Sequence, residues 1–374
     1  MINYKIFDNI NKIERKDWDE IFGDIPESYS FYKVLDNSQF SEFKFYYLVG
    51  YQEDKIIFIA PLFTADFNLD IAVEGWLAKV IGFIRKVFPR FVIFKTLFCG
   101  SPFAEHGALG IRQDAQVQPD LVKALLNGIN DLTVKTGSRL VIFKDFLKQS
   151  TLFLDVLKKH GYSRVESFPA VSVDLNVASF EDYLKSLGKS TRKNLNKKLK
   201  QAFSRANLEI KEAGGVEGVI DRIFQLYEFT YNAGSTKFER LNRQFFLQVS
   251  RDPGLGARFF LYYVNGKLAA FNLCFVYPDL LIDKFIGFDY DISKRHNLYF
   301  VSWAHNIKWC IAKGLQYYYP GQTGYKAKIS LGGRLITLYA YLRHKNAFFN
   351  FLLKLFIPFL KPDDFSGSIK KADV

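Results

Sequence analysis

The chain has 374 residues, of which 49% are apolar, so it can bury a large core, and its length favours two domains over one. Its cysteines, Cys99, Cys274 and Cys310, are far apart and lack a C-x-x-C spacing, which argues against a disulfide framework and a metal site. The N-terminus has no secretion signal, and no apolar stretch reaches the roughly 18 uncharged residues of a spanning helix, so we expect a cytoplasmic protein.

Charge narrows the class of partner. Lysine and arginine total 51 against 38 aspartate and glutamate, a formal net charge of +13. This excess favours an anionic partner, such as a phosphate-bearing donor, nucleic acid or lipid headgroups. The alternative is that the basic surface is solvated and only keeps the protein soluble. The 39 Phe and 21 Tyr exceed what a core of this size needs, so some aromatic side chains are expected on a working surface.

Hydrophobic periodicity predicts a mixed α/β first half. In chain order we expect a helix, two strands, a helix, a strand, a helix and a strand. These segments are Lys16–Phe22, Phe43–Gly50, Lys55–Phe63, Pro119–Lys135, Arg139–Phe143, Ser150–His160 and Val171–Leu175.

The second half is predicted to begin with helices and to continue as a sheet. The turn Asn265-Gly266 between two apolar runs is a strong hairpin signal, and Gly314 ends a helix that precedes the last strand. The predicted helices are Ser190–Gln201, Val219–Tyr231, Asn242–Ser250 and Leu298–Lys313, and the strands are Arg258–Val264, Lys267–Tyr277, Leu280–Gly287 and Leu315–Tyr319.

Two segments, Trp76–Lys95 and Ala347–Leu360, interleave large aromatic residues with lysine or arginine at nearly helical spacing. Such a helix can lie on a bilayer, with its aromatic face at the headgroup boundary and its basic side chains on anionic lipid. Alternatively, its apolar face packs against the rest of the protein. Both interpretations stay open from sequence alone.

The sequence from Ile282 to Gly333 resembles the Fem-like proteins of the GNAT superfamily. The resemblance rests on a strand that ends in a small residue, an aromatic-rich helix start, the helix pattern IKWCIAKGL, and the segment PGQTGYK at Pro320–Lys326. The first half is similar to the same group more weakly, through Tyr47–Gly50, Ala60–Phe63 and Ser101–Phe103 before Gly107. A K-x-x-R-x-x-L helix start is also similar, with Lys189, Arg192 and Leu195 in those places.

The resemblance implies an α/β fold of two tandem GNAT-like domains, each a mixed, mostly antiparallel sheet flanked by helices. We expect an N-terminal domain over 1–170, on the acceptor side and with an insertion at 76–95, then a catalytic domain over 171–345. An amphipathic segment and tail would follow over 346–374.

The implied activity is transfer of an acyl or aminoacyl group to an amine on a cell-envelope precursor such as one of peptidoglycan, which can be lipid-linked. The enzyme would work in the cytoplasm or as a peripheral protein at the inner membrane face, with no tightly bound cofactor. Donor substrates in this superfamily are acyl-CoA or aminoacyl-tRNA. Acetyl-CoA-dependent members carry Arg/Gln-x-x-Gly-x-Gly/Ala after the strand, whereas Asp289–Leu298 here has no glycine pair, which counts against coenzyme A.

Candidate catalytic residues follow from the needs of acyl transfer, which are an aligned amine and positive or N–H groups at the developing oxyanion. Lys326 and Lys328 come after a glycine-rich strand exit, and the resemblance also implies a lysine at this place. Tyr325 is a candidate proton relay, and Gly321 and Gly324 would hold the donor. The alternative is that these are surface lysines beside a turn.

Other candidates carry charge or titrate. Lys189 and Arg192 begin a basic helix, where cations oppose the helix dipole unless an anion such as phosphate is bound, although a solvated basic face is equally consistent. Asp283 is a candidate general base or an ion-pair partner, and His305 a substrate contact or a core histidine. The candidate acceptor pocket residues are Glu105 and His106, for which a hydrogen-bonded turn is the simpler account.

Two functions of different class therefore remain open from the sequence. One is the N-acyltransferase or aminoacyltransferase. The other is a non-catalytic GNAT scaffold that binds anionic lipid, peptidoglycan precursor or RNA through its basic helix.

Overall fold

The computed structural model describes residues 1–68, 82–88, 93–112, 119–234 and 239–357. The chain forms two compact units: unit 1 contains Met1–Pro169 and the segment that returns at Thr337, and unit 2 contains Ala170–Ile336. The boundary between Pro169 and Ala170 lies one residue before the expected one. The expected second boundary at residue 345 lies beyond the point at which the chain re-enters unit 1.

Unit 1 is built on one sheet in the order β1-β2-β3-β4-β6-β15-β7, with β5 paired to β3. Its neighbours are antiparallel except for β4 and β6, which are parallel. The strands are β1 (Asn3–Phe7), β2 (Lys44–Gln52), β3 (Lys55–Asn68), β4 (Ile93–Cys99), β5 (Gly110–Ile111), β6 (Leu140–Leu147), β7 (Ser163–Glu166) and β15 (Leu338–His344).

Helices cover this sheet. The central one, α3, packs on β1 and β2, and Leu48, Leu97 and Ile129 are fully buried between helix and sheet. The helices are α1 (Arg15–Phe22), α2 (Tyr29–Asn37), α3 (Pro119–Thr136), the single turn α4 (Thr151–Leu154) and α12 (Ala347–Phe356), with a 3-10 segment at Asp155–His160.

Unit 2 is built on a second sheet in the order β14-β8-β13-β12-β11-β10-β9. Every pair is antiparallel except β12 with β13, which run parallel. The strands are β8 (Ala170–Asp174), β9 (Leu208–Ala213), β10 (Ala257–Val264), β11 (Lys267–Val276), β12 (Leu280–Phe288), β13 (Tyr317–Tyr319) and β14 (Arg334–Ile336).

The helices of unit 2 surround this sheet, and α9 and α10 both pack against the basic helix α6. Their bounds are α5 (Phe180–Ser186), α6 (Lys189–Arg205), α7 (Ile220–Ala233), α8 (Arg243–Arg251), α9 (Tyr290–His296), α10 (Leu298–Lys313) and α11 (Tyr325–Ser330). Each unit is thus a mostly antiparallel sheet flanked by helices, as predicted.

Several elements differ from the sequence-based prediction. Most of Trp76–Lys95 lies outside the described residues, but Ile93–Lys95 belongs to strand β4 and not to a helix, because it pairs with the end of β3. The polar stretch after β12, to which no element was assigned from the sequence, is helix α9. Among the residues that the structure describes, no helix is both long and apolar enough to cross a bilayer.

Candidate functional site

The parallel strands β12 and β13 are paired over three residues. Their pairing covers Leu280 with Tyr317, Leu281 with Tyr318, and Ile282 with Tyr319. β13 ends at Tyr319, whereas β12 continues to Phe288. Among the described residues, β12 therefore has no paired strand on its β13 side from Asp283 onward, and we call this gap in the sheet the opening.

Asp283 is the centre of a buried hydrogen-bond network. Asn272 of β11 donates from Nδ2 to both carboxylate oxygens at 2.7 Å, and the Tyr318 hydroxyl of β13 donates at 2.9 Å. Asn306 Nδ2 of α10 donates to the same carboxylate at 3.0 Å. One side chain thus joins three strands and a helix where the sheet opens.

Burial raises the pKa of the Asp283 carboxyl above its ordinary value. Hydrogen bonds from Asn272 and Tyr318, and the charge of Lys328, act in the opposite direction. Because several donors already bind this carboxylate, the structure gives Asp283 a positioning role. The predicted role as a general base in contact with substrate stays a prediction.

A bulge lies beside Asp283. The register between β11 and β12 shifts there, because Leu273 pairs with Phe285 and Cys274 pairs with Asp283, so that Lys284 is the extra residue of β12. Bulges re-aim neighbouring side chains and increase local twist. This bulge accounts for how the Asp283 side chain points into the interior while the strand continues past the opening.

Lys328 closes the turn that follows β13. It is buried, and its ammonium donates to the carbonyl oxygens of Pro320, Gly321 and Gln322 at 2.7, 2.9 and 2.9 Å. Gly321 has a φ of 73°, a left-handed conformation that glycine adopts without strain. The alternative of a surface lysine is therefore excluded for Lys328, because its ammonium is buried and bound to the main chain, and the predicted catalytic role of Lys328 stays a prediction.

Lys326 and Tyr325, on the first turn of α11, have opposite environments. Tyr325 is buried, whereas Lys326 is exposed to solvent. Gly324, with a φ of 61°, precedes them as the N-cap of α11. Of the two lysines predicted to be catalytic, Lys326 is therefore the one with an ammonium that can reach a ligand from solvent.

The start of α6 lies near the end of α11. A Cβ on Gly332 would stand 3.3 Å from Leu187, the residue two before α6, and the hydroxyl of Tyr183 donates to the carbonyl of Leu331 at 2.7 Å. Lys189 is exposed and Arg192 half-buried in the first turns of α6. The helix has Gly188 as its N-cap, without a side-chain cap, and has no acidic residue in its first turn.

His305 lies in a different part of unit 2. It lines a half-open groove of about 280 Å³ between α6, β9 and α10, together with Phe203 and the rim lysines Lys200 and Lys308. Its ring contacts Phe260 edge-on, with ring centroids 4.7 Å apart. Burial lowers the pKa of His305 to about 4, so the imidazole is neutral at pH 7.

The remaining candidates are held by structural contacts. Glu105, in unit 1, is buried, and its backbone N–H donates to the Glu27 carboxylate at 3.0 Å. Just before it, the backbone N–H of Phe103 donates to the Ser101 hydroxyl at 3.2 Å, which agrees with the hydrogen-bonded turn. His106 is half-buried beside it, and a substrate role for either residue stays a prediction. Asp289 caps α9 and pairs with Arg222 at 2.8 Å and Lys267 at 3.3 Å.

Sequence reasoning missed Asn272, Asn306 and Tyr318. Both asparagines are fully buried, Asn272 within the apolar run FNLCF of β11 and Asn306 within AHNIKW of α10. A lone amide in a buried strand is costly without a partner, so this pattern was the available signal for a buried polar network.

Comparison with known proteins assigns this chain to a family. The sequence profile of the FemAB-like family, described as peptidoglycan biosynthesis/recognition, matches residues 9–358. The chain belongs to the FemAB-like family. The predicted family is therefore confirmed.

Solved structures similar to this FemAB-like chain show the same tandem GNAT fold. FemX has a TM-score of 0.54 at 10% identity, covering 90% of this chain and 96% of that one. A tandem GNAT protein from the clavulanic acid biosynthesis pathway has a TM-score of 0.52 at 10% identity, covering 92% and 99%. The C-terminal domain of a putative lysylphosphatidylglycerol synthetase from Agrobacterium fabrum has a TM-score of 0.54 at 11% identity, covering 92% and 95%.

Among curated sequences, the FemAB-like chain matches a putative 8-amino-7-oxononanoate synthase 2 from Mycobacterium tuberculosis. The two are 24% identical over 324 residues, which is 84% of this chain and 42% of that protein. The chain thus spans about two-fifths of the length of the curated relative.

Replacing Lys328 by methionine should lower the free energy of unfolding by about 3 kcal/mol, because three buried carbonyl oxygens lose a charged donor. Urea denaturation followed by circular dichroism measures the change. The matched control is Lys326→Met on the same helix, which should change the value by no more than about 0.5 kcal/mol. Equal effects of the two substitutions would contradict the burial of the Lys328 ammonium.

His305 should make stability depend on pH. Its pKa in the folded protein, about 4, lies below the ordinary histidine pKa of 6.5, so the unfolded state binds the proton first as the pH falls. The free energy of unfolding should drop by roughly 2 to 3 kcal/mol between pH 6.5 and pH 4. His305→Gln should flatten this slope and His160→Gln, an exposed control, should not; an unchanged slope in His305→Gln excludes His305 as the cause.

Proposed function

We propose that this FemAB-like chain transfers an acyl or aminoacyl group from a phosphate-bearing carrier to a primary amine of a peptidoglycan precursor. The observation that carries the proposal is the opening between β12 and β13, with the Asp283 network at its base and the turn closed by Lys328 on its β13 side. The family and the tandem GNAT fold support it, and FemX is similar in fold.

The reaction needs little covalent help from the protein. A neutral amine attacks the donor carbonyl, a C–N bond forms, the ester or thioester bond breaks, and the amine proton passes to the leaving oxygen or sulfur. The protein has to hold the carbonyl and amine in contact and to place positive charge near the oxyanion. The exposed ammonium of Lys326 is our candidate for that charge, and the network at Asp283 keeps the opening rigid.

The start of α9 bears on the identity of the donor. In acetyl-CoA-dependent GNAT enzymes, the helix after the strand that corresponds to β12 holds the pyrophosphate. Here Asp289 caps that helix with its own carboxylate, and Asp291 adds a second carboxylate in the first turn. The protein's own carboxylate thus occupies the helix N-terminus that would otherwise hold the pyrophosphate. The arrangement therefore supports aminoacyl-tRNA over acyl-CoA.

The basic helix α6 offers an alternative place for donor phosphates. Its first turns carry Lys189 and Arg192 without a side-chain cap or a carboxylate, and they lie near the end of α11, the helix of Lys326. Bound phosphate would relieve the repulsion between these cations and the helix dipole. A carrier held there would be on the same side of unit 2 as the end of α11.

A transfer assay tests the proposal. Purified protein is given aminoacyl-tRNA or acyl-CoA as donor and an amine-bearing peptidoglycan precursor, in nucleotide-linked and lipid-linked form, as acceptor, and the product is followed by mass spectrometry. We expect aminoacylated precursor with aminoacyl-tRNA, and a loss of at least about 100-fold in kcat for Lys326→Ala, from the usual size of an oxyanion contact. Lys123→Ala, an exposed lysine of α3, is the matched control.

If product forms with acyl-CoA and not with aminoacyl-tRNA, the donor assignment is wrong and the proposed transferase activity still holds. Full activity of Lys326→Ala would remove this lysine from the site. Binding of precursor without turnover of either donor would instead favour a non-catalytic scaffold, the alternative function.

A further inference from the structure

Exposed large apolar side chains of unit 1 concentrate in two short segments that are far apart in sequence. Residues 82–88 contribute three of them, and helix α12 contributes five. Together they form what we call the aromatic face: Phe83, Val87, Phe88, Phe348, Phe349, Phe351, Leu355 and Phe356. Each is at least 46% exposed, and the largest value is 71% for Phe83. Single exposed apolar residues are ordinary, but a concentration of this size marks an interaction surface.

The fold brings the two segments to one end of the β3–β4 hairpin. Arg85 donates a hydrogen bond to the Asn68 side chain, and Asn68 is the last residue of β3, paired with Ile93 of β4. The next residue, Phe94, contacts the ring of His344 at a centroid distance of 5.5 Å, and His344 contacts Phe349 at 5.2 Å. Residues 82–88 and α12 therefore flank the same hairpin end.

Helix α12 is fastened so that its aromatic side faces solvent. Asn350 accepts from the backbone N–H of His344 at 2.8 Å and donates to the carbonyl of Gly161 at 3.0 Å, while Leu353 is buried beneath the helix. Phe348, Phe351 and Leu355 follow at the spacing of one helix face on the outer side. The sequence analysis left packing of this segment against the protein open; the structure buries Leu353 and leaves these rings exposed.

The charge of the two segments identifies the partner. Residues 82–88 carry Arg85 and Lys86, residues 345–357 carry Lys345 and Lys354, and neither segment contains Asp or Glu. Lys86, Lys345 and Lys354 are exposed. Two copies of this face would bring like charges together, whereas a bilayer with anionic headgroups satisfies the cations and takes up the aromatic rings at the same time.

We infer that unit 1 docks on an anionic phospholipid bilayer through the aromatic face, with α12 lying in the headgroup boundary. Two separate segments act as two anchors, and each alone binds weakly. The inference rests on unit 1 and stands whether or not unit 2 performs the proposed transfer. Docking would bring the protein to the surface where lipid-linked acceptors are found.

Vesicle flotation tests the inference with the full chain. Vesicles of phosphatidylcholine alone are compared with vesicles that also contain phosphatidylglycerol, at low and at high salt. We expect the protein to float with the anionic vesicles, to float much less with the neutral ones, and to be released in part by salt, because exposed charges are screened.

Variants distinguish binding through the aromatic face from non-specific binding to vesicles. Phe348→Ser combined with Phe351→Ser and Leu355→Ser should lower the fraction bound to anionic vesicles at least tenfold, and Phe83→Ser with Phe88→Ser should also lower it. Leu152→Ser, at a residue of unit 1 that is 91% exposed, is the matched control and should bind as the unchanged protein does. Circular dichroism and thermal unfolding confirm that each variant folds.

Three outcomes would overturn the inference. The protein does not float with either vesicle type, or it floats equally with both, or the variants with serine on α12 bind like the control. If the unchanged protein does not float, and light scattering shows a dimer that the α12 variant converts to a monomer, the aromatic face is a protein interface and the inference is wrong.

Discussion

A carboxylate that is withdrawn from water needs hydrogen-bond donors from the protein, and unit 2 is organised around that constraint. Asp283 is half-buried, and its carboxylate accepts hydrogen bonds from Asn272, Tyr318 and Asn306, which lie on two other strands and a helix. Removing any donor leaves a buried charge less well solvated, which makes the relative placement of these elements costly to change. Since Asp283 is the first residue beyond the β12–β13 pairing, this network fixes where the sheet opens.

The turn after β13 depends on a second buried charge. The Lys328 ammonium donates hydrogen bonds to three main-chain carbonyl oxygens. It also lies near enough to Asp283 for its positive charge to favour the ionised form of that carboxyl group. The opening therefore has a carboxylate network at its base and a closed turn at its side. Lys328 is buried, whereas Lys326, on the first turn of α11, is exposed to solvent. An enzyme that catalyses acyl transfer by holding its substrates in position needs both a rigid support, as Asp283 and Lys328 provide, and an accessible cation, as Lys326 provides.

Local patterns predicted much of the fold. Helix α10 has the predicted bounds, Leu298–Lys313, because a long apolar period ends at a glycine that adopts the left-handed C-cap conformation. Strand β15 was missed, since its partners β6 and β7 lie far earlier in the chain and pairing over such distances leaves no local signal. For the site, the sequence offered two candidate lysines after PGQTG, Lys326 and Lys328. Which of them is buried depends on the path of the turn, and sequence spacing does not contain that information.

The central claim is that Asp283 and Asn272 form one buried unit that supports the opening, and an exchange of the two side chains tests it most directly. Asn272→Asp alone places two carboxyl groups in contact and should lower the free energy of unfolding by about 3 kcal/mol, measured by urea denaturation. Adding Asp283→Asn rebuilds an amide–carboxylate pair and should recover at least about 1 kcal/mol, a coupling typical of residues in contact. If the two substitutions are simply additive, the network does not exist as described.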